Sequence, residues 1–290
     1  MKTVCVSAFF AVLFCTAACY AAKAGDSIKF AVCCELSQYP EVQAAGYDFI
    51  ETGVNSFLSP AKSDSVFMSH LSEMRRLGAK IISCTVFLPG DYKIVGKNPD
   101  TEKIIEWAKT VFKRAGQADI PFIVFGSGGS RKVPAGFSKK KATRQFVALC
   151  KQLGPLAAKE GVTIVIEPLN TLETNLINTL REGAETVEAV NHPNVQLLCD
   201  IFHSMRENVP PSDIVKYGKY IKHCHIAEKE IRSAPGTKGD DFGEWFAALK
   251  QANYAGCISV ECIWDDFSSR LGPALRYMKG VRNCDGVKNP

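Results

Sequence analysis

The strongest constraint on this chain is its alternation of two kinds of segment. Eight short, apolar, β-branched runs are spaced along it, at Ser27–Cys33, Tyr47–Glu51, Lys80–Val86, Pro121–Phe125, Val162–Glu167, Val195–Asp200, Tyr220–His225 and Cys257–Glu261. Stretches with apolar residues at helical spacing fill the gaps, at Pro40–Ala45, Ser65–Leu77, Asp100–Ala115, Ser138–Glu160, Leu180–Val190, Pro211–Tyr217 and Phe242–Ala252. Near-continuous apolar strands suit a parallel sheet covered on both faces. The alternation predicts a single closed (β/α)8 TIM barrel, with an open doubly wound sheet as the second choice. The 290 residues accommodate one barrel of ~250 residues. Gly116 reads as a helix stop.

Composition excludes several classes. Hydrophobic residues make up 46% and charged residues 22%, which rules out a disordered chain. The net charge is +5, but the basic residues are scattered and Lys139–Lys141 is the one tight run. No nucleic-acid partner is expected from that pattern. There is no GxGxxG or Walker loop. The Gly-rich segment Gly126–Ser130 lacks the following Lys-Ser/Thr, and reads as a flexible loop at the barrel mouth.

The N-terminus reads as a signal peptide over residues 1–22. Met1-Lys2 is a short positive region, Val4 to Ala18 is apolar, and Cys19-Tyr20-Ala21-Ala22 offers a cleavage point. The apolar run is short of the ~20 residues a spanning helix needs. Export, periplasmic or extracellular, is therefore expected, with a barrel domain over 26–290. Lipidation at Cys19 is a variant of the same reading. No later segment is long and apolar enough to span a membrane. Of twelve cysteines, three lie in the leader. The remaining nine include at least one free thiol, and most sit in apolar runs, where Cys behaves as a small hydrophobe.

Chemistry collects at the strand ends. Glu167, Asp200, His225 and Glu261 terminate four successive predicted strands. In a barrel the carboxyl ends of the strands converge on the face that carries active sites. Three carboxylates and one imidazole form an oxygen-rich set suited to Mn²⁺, Mg²⁺ or Co²⁺. Without a cation between them, three clustered carboxylates would repel strongly. Any one of the four reads equally well as a solvated or locally satisfied residue; the case rests on all four together. His203 lies three residues after Asp200, Glu173 six after Glu167, and Arg232 in the segment following His225. Each can reach the same mouth or be a surface residue. His223 shares a strand face with His225 and reads as a supporting or core-packed histidine. His70 and His192 receive no role.

Four strings carry a resemblance. They are Ile166-Glu167-Pro168-Leu169-Asn170 with Glu173 and Asn178-Thr179, then Cys199-Asp200-Ile201-Phe202-His203, His223-Cys224-His225-Ile226 and Val260-Glu261. In order and spacing, over residues 28 to 280, the chain resembles the sugar isomerase/epimerase superfamily. These are the xylose isomerase-like barrels that include ketose 3-epimerases and hydroxypyruvate isomerases. The resemblance implies one divalent ion held by Glu167, Asp200, His225 and Glu261. It implies proton exchange by Glu167 and Glu261, and substrate contacts from Glu173 and His203. The epimerase pattern has an arginine six residues after the metal histidine; here that position is Ile231, and Arg232 is one further on.

The implied activity is isomerisation or epimerisation of a small sugar or keto-sugar through an enediolate. Expulsion of a β leaving group would instead make the protein a lyase or hydrolase of 3-keto-glycosides. A non-catalytic sugar-binding barrel is a further alternative. The superfamily's apurinic endonucleases use several metals and more histidines, whereas this chain has five His. The expected partner is a small carbohydrate. Helix faces of such barrels often pair subunits, so a homo-oligomer is compatible with the sequence.

Overall fold

The computed structural model describes residues 28–284. Eight parallel strands close into a barrel in chain order: β1 (Lys29–Cys33), β2 (Phe49–Gly53), β3 (Ile81–Thr85), β4 (Phe122–Phe125), β5 (Thr163–Ile166), β6 (Val195–Asp200), β7 (Ile221–Ile226) and β8 (Cys257–Val260). Closure is made by β1 on β8, with Lys29 opposite Cys257 and Val32 opposite Val260. That closure excludes the open sheet. Among the described residues no helix is long and apolar enough to cross a membrane. The expected leader, its cleavage point and Cys19 lie outside the described residues.

Among the described residues, ten α-helices surround and cap the strands: α1 (Tyr39–Ala45), α2 (Asp64–Leu77), α3 (Thr101–Gln117), α4 (Gly128–Arg131), α5 (Lys139–Lys159), α6 (Leu180–Val190), α7 (Ile201–Arg206), α8 (Ser212–Tyr217), α9 (Gly243–Gln251) and α10 (Phe267–Asn283). The long ones are amphipathic in the way their spacing predicts. Helix α3 buries Ile104, Ala108, Val111, Phe112 and Ala115, while Glu102 lies in its first turn and Arg114 in its last. Ser138 caps α5 and Thr179 caps α6, each accepting a backbone N–H of the first turn.

Two expectations need correction. Gly116 does not stop α3, which runs on to Gln117. A Cβ on Gly116 would lie 2.6 Å from the Glu160 carbonyl oxygen, so this glycine lets α3 approach the end of α5. Helix α10 was not expected, because Gly272, Pro273 and Gly280 interrupt its pattern. It forms because Asp266 caps it and Leu271, Ala274, Leu275 and Met278 are buried on its inner face. All nine cysteines of the described residues are free, and Cys84, Cys150, Cys199, Cys224 and Cys257 are buried packing thiols.

The barrel interior is layered. Val124, Val165 and Leu198 form a small apolar cluster with Phe122 against it. A second group is polar and fully buried: Glu51, Ser83, His223 and Ser259. These four residues are joined to the candidate site through His225.

Candidate metal centre

Each of the four predicted ligands is delivered by a strand end. Glu167 directly follows β5, and its amide donates to the Phe125 carbonyl at 3.3 Å. Asp200 ends β6 and also caps α7, where Oδ1 accepts the His203 amide at 3.2 Å. His225 lies on β7 and is fully buried. Glu261 follows β8, its amide donating to the Ile226 carbonyl at 3.2 Å. One ligand atom from each of the four lies within 4.8 Å of all the others. His225 Nδ1 is 3.1 Å from Glu167 Oε1 and 3.0 Å from Glu261 Oε2.

These residues fit one divalent cation. Glu167 and Glu261 converge on one imidazole nitrogen with Asp200 in the same cluster, and Arg232 is in direct contact with Asp200 and Glu261. A buried cluster with that charge balance is relieved by a hard or borderline cation. Burial pushes the Glu167 carboxyl up, although His225 opposes the shift. Burial also opposes ionisation of Glu261, but His225 and Arg232 overcome it and hold this carboxyl at about 2. Desolvation works against the His225 cation, yet Glu51 and Glu261 raise it well above the usual imidazole range.

The three predicted substrate-contact residues line the same mouth. His203 is buried; its Nδ1 accepts from the Asn170 amide at 3.2 Å and faces Asn170 Nδ2 at 2.8 Å. That places its proton on Nε2, 3.4 Å from Asp200 Oδ2. Glu173 accepts from Asn170 Nδ2 at 3.0 Å and is partly exposed. Arg232 donates from Nε to the Glu261 carbonyl at 3.0 Å and from Nη2 to the Glu261 carboxylate.

The one-residue displacement of the arginine has a backbone explanation. Ile231 and Arg232 are consecutive left-handed residues, with φ of 48° and 53°. Such residues cost of the order of 1 kcal/mol each outside glycine. The pair turns Arg232 inward and leaves Ile231 64% exposed. The loop is fastened by Glu228, a fully buried carboxylate. It accepts the amides of Gly236, Thr237 and Gly239 at 2.9, 3.0 and 3.2 Å, and that of Lys238.

Two residues of consequence were not assigned from sequence. Arg131 is fully buried and donates to the Glu167 carbonyl at 2.6 Å and the Phe125 carbonyl at 3.3 Å. It lies at the end of the Gly-rich segment, which is not an open loop. Ser127 Oγ accepts the Leu88 amide at 3.0 Å, and Ser130 Oγ donates to the Pro89 carbonyl at 2.7 Å. A Cβ on Gly126 would sit 2.2 Å from Glu167 Oε2, so this glycine makes room for a candidate ligand. The second unassigned residue is Glu51, in the middle of β2 and bonded to both His223 and His225. Its signal was present: a carboxylate closing an apolar run, as in the strings that end at Glu167, Asp200 and Glu261.

The chain is thus a closed eight-stranded parallel barrel that gathers, at the carboxyl ends of its strands, a carboxylate–imidazole cluster able to hold a metal ion. A family model described as xylose isomerase-like TIM barrel matches residues 40–284, and the chain belongs to that family. It is 29% identical over 259 residues to an L-ribulose 3-epimerase from Methylomonas sp. (strain DH-1), covering 81% of this chain and 87% of that protein. It is 26% identical over 134 residues to a hydroxypyruvate isomerase from Escherichia coli (strain K12), covering 45% and 52%. The solved D-psicose 3-epimerase from Clostridium cellulolyticum H10, with D-tagatose, superposes with a TM-score of 0.76 at 22% identity, over 89% of this chain and all of that one.

Proposed function

We propose that the protein is a divalent-metal-dependent epimerase or isomerase of a small keto-sugar, with Glu167, Asp200, His225 and Glu261 as its ligands. One observation carries this reading: Glu167 and Glu261 both lie about 3 Å from the same His225 nitrogen, so two carboxylates border one space. When bound, the divalent ion supplies positive charge that acidifies the C–H next to the substrate carbonyl and stabilises the enediolate.

The residues of the chain do the rest. One of the two glutamates takes the proton, and Glu167, buried against His225, is placed to do so. Glu261 stands across the cluster, held ionised by His225 and Arg232. Return of a proton to the opposite face of the same carbon gives epimerisation; return to the neighbouring carbon gives isomerisation. The Nε2–H of His203 donates to a substrate hydroxyl, and Glu173 accepts from another. The similarity to an L-ribulose 3-epimerase supports the first outcome.

The test is proton exchange in D₂O, with Mn²⁺ and a panel of ketoses followed by NMR. Deuterium should enter a carbon adjacent to the carbonyl, and Glu167→Gln or Glu261→Gln should reduce the rate at least ~100-fold. Near-normal exchange in either variant would sink the proton-transfer assignment.

A second reading, chemistry on 3-keto-glycosides at the same cluster, is favoured by the mouth. A cleft of about 550 Å³ opens beside Arg232 and Glu173 and is lined by Leu172, Phe202, Ile231 and Ile263. Leu172 and Ile263 are 75% and 66% exposed. Such a grouping of exposed aliphatic side chains suits a ligand groove, here for an apolar substituent beyond the keto ring. Including aryl 3-keto-glycosides in the panel separates the two readings by product.

A further inference from the structure

We infer that Glu51 is a positioning residue that directs the metal-facing nitrogen of His225 by fixing its tautomer. The inference rests on the metal reading above and concerns a residue outside the proposed ligand set. Glu51 is 0% exposed, at the inner end of the site rather than at the mouth. The two nitrogens of His225 face opposite ways. Nδ1 meets Glu167 and Glu261 at 3.1 and 3.0 Å. Nε2 meets Glu51 Oε1 at 3.0 Å and Oε2 at 3.2 Å.

A neutral imidazole has one donor and one acceptor nitrogen. With a cation in the cluster, Nδ1 would be the acceptor on the cluster side, and the single ring proton would sit on Nε2, where Glu51, a buried carboxylate that can only accept, receives it. The lone pair then lies on Nδ1, among the other candidate ligands. Carboxylates commonly fix a metal-binding histidine in this way.

Glu51 is itself held from below. Its Oε2 lies 2.9 Å from His223 Nε2, which is also 3.3 Å from Ser83 Oγ and 3.2 Å from Ser259 Oγ. Phe122 stacks on the His223 ring at 5.9 Å and 23°. The polar layer thus has a direction. Serines and an aromatic ring position His223, His223 positions Glu51, and Glu51 positions His225. The members come from β2, β3, β4, β7 and β8, so the relay exists only once the barrel is closed. It also explains why His223 shares a strand face with His225 without being a ligand.

Replacement by glutamine separates orientation from shape. The glutamine side chain has one acceptor oxygen and one donor NH₂, and it faces two histidine N–H groups. One histidine must therefore turn or move its proton. If His225 moves its proton to Nδ1, the lone pair leaves the cluster.

The experiment is Mn²⁺ binding to the full chain, followed by EPR, for wild type and Glu51→Gln. The expected result is a 10–100-fold weaker Mn²⁺ dissociation constant in the variant. In parallel, ¹⁵N NMR of the Mg²⁺-loaded wild type should show His225 protonated at Nε2, with a hydrogen-bonded, downfield proton. This second measurement needs no variant and holds if Glu51→Gln fails to fold. A variant that binds Mn²⁺ within threefold of wild type, or a wild-type His225 protonated at Nδ1, overturns the inference and leaves the metal reading standing. A wild type that binds no Mn²⁺ at this cluster overturns the metal reading itself, and the inference with it.

Discussion

Replacing Gly126 by alanine tests the geometry around Glu167 with a single methyl group. The added Cβ would lie 2.2 Å from Glu167 Oε2, 3.4 Å from its Cδ and 3.5 Å from Leu169 Cδ2. The last two are tolerable contacts, so the clash is with the carboxylate oxygen alone. Ordinary contact between heavy atoms is nearer ~3.5 Å, so the carboxylate must retreat by about 1 Å. Backbone movement is resisted on both sides. Gly126 follows β4 directly, and Arg131 ties the Phe125 and Glu167 carbonyls together. The side chain must therefore yield, and its 3.1 Å contact with His225 Nδ1 is lost. A misplacement of about 1 Å is worth roughly 100-fold in a preorganised site. Overpacking adds a stability cost of about 1–3 kcal/mol. Isothermal titration with Mn²⁺ should show affinity reduced by about that factor, with a cooperative melting transition retained in the metal-free variant. A Gly126→Ala protein that binds Mn²⁺ within threefold of wild type would refute the placement of Glu167 as a ligand.

Three further outcomes are expected. Arg131→Met removes the side-chain donor of the Glu167 carbonyl and one of two donors of the Phe125 carbonyl, and should destabilise the fold by about 1–3 kcal/mol; an unchanged urea midpoint would show that those bonds add nothing. In the metal-free protein, Glu51 and Glu261 are held below the usual carboxylate range, so their contribution is present above about pH 4.3 and lost as pH falls towards 2. His225 is raised, so its contribution is present below about pH 6.5 and lost as pH rises through its folded value. Glu167, also raised, penalises higher pH too. Urea midpoints of the metal-free protein should thus peak at mildly acidic pH and fall at pH 3 and pH 8.5; a midpoint flat across that range contradicts the charge assignments. Finally, Mn²⁺ at 100 times its dissociation constant should stabilise the fold by about 2.7 kcal/mol, and EDTA should reverse the gain. A Tm indifferent to both would count against a metal bound by the folded state.

Much of the candidate site was legible because strand ends are legible. Glu167, Asp200, His225 and Glu261 each close an apolar run, and a barrel leaves such residues no other place than its carboxyl face. Gly126 and Arg131 were not legible as site residues. Nothing in Gly-Ser-Gly-Gly-Ser-Arg announces that a carboxylate from the next strand will rest against the first glycine, or that the arginine will be buried beneath it. Glu51 carried the same signal as the four candidate ligands, yet the role proposed for it depends on which histidine nitrogen it faces. Spacing along one strand cannot state that.

By itself, the sequence determined the number and kind of the elements. Side-chain periodicity is local, and apolar runs bounded by polar turns declare a covered parallel strand wherever they occur. It also determined which strands end in a group able to ligate or to move a proton. The tertiary structure alone decided how those groups face one another. Closure of β1 on β8 brings Glu51 beneath His225, 174 residues away. Two left-handed residues turn Arg232 into the cluster in spite of its displaced position. Distances between residues remote in the chain are set by the closed sheet and the side chains that fill it, not by any single segment.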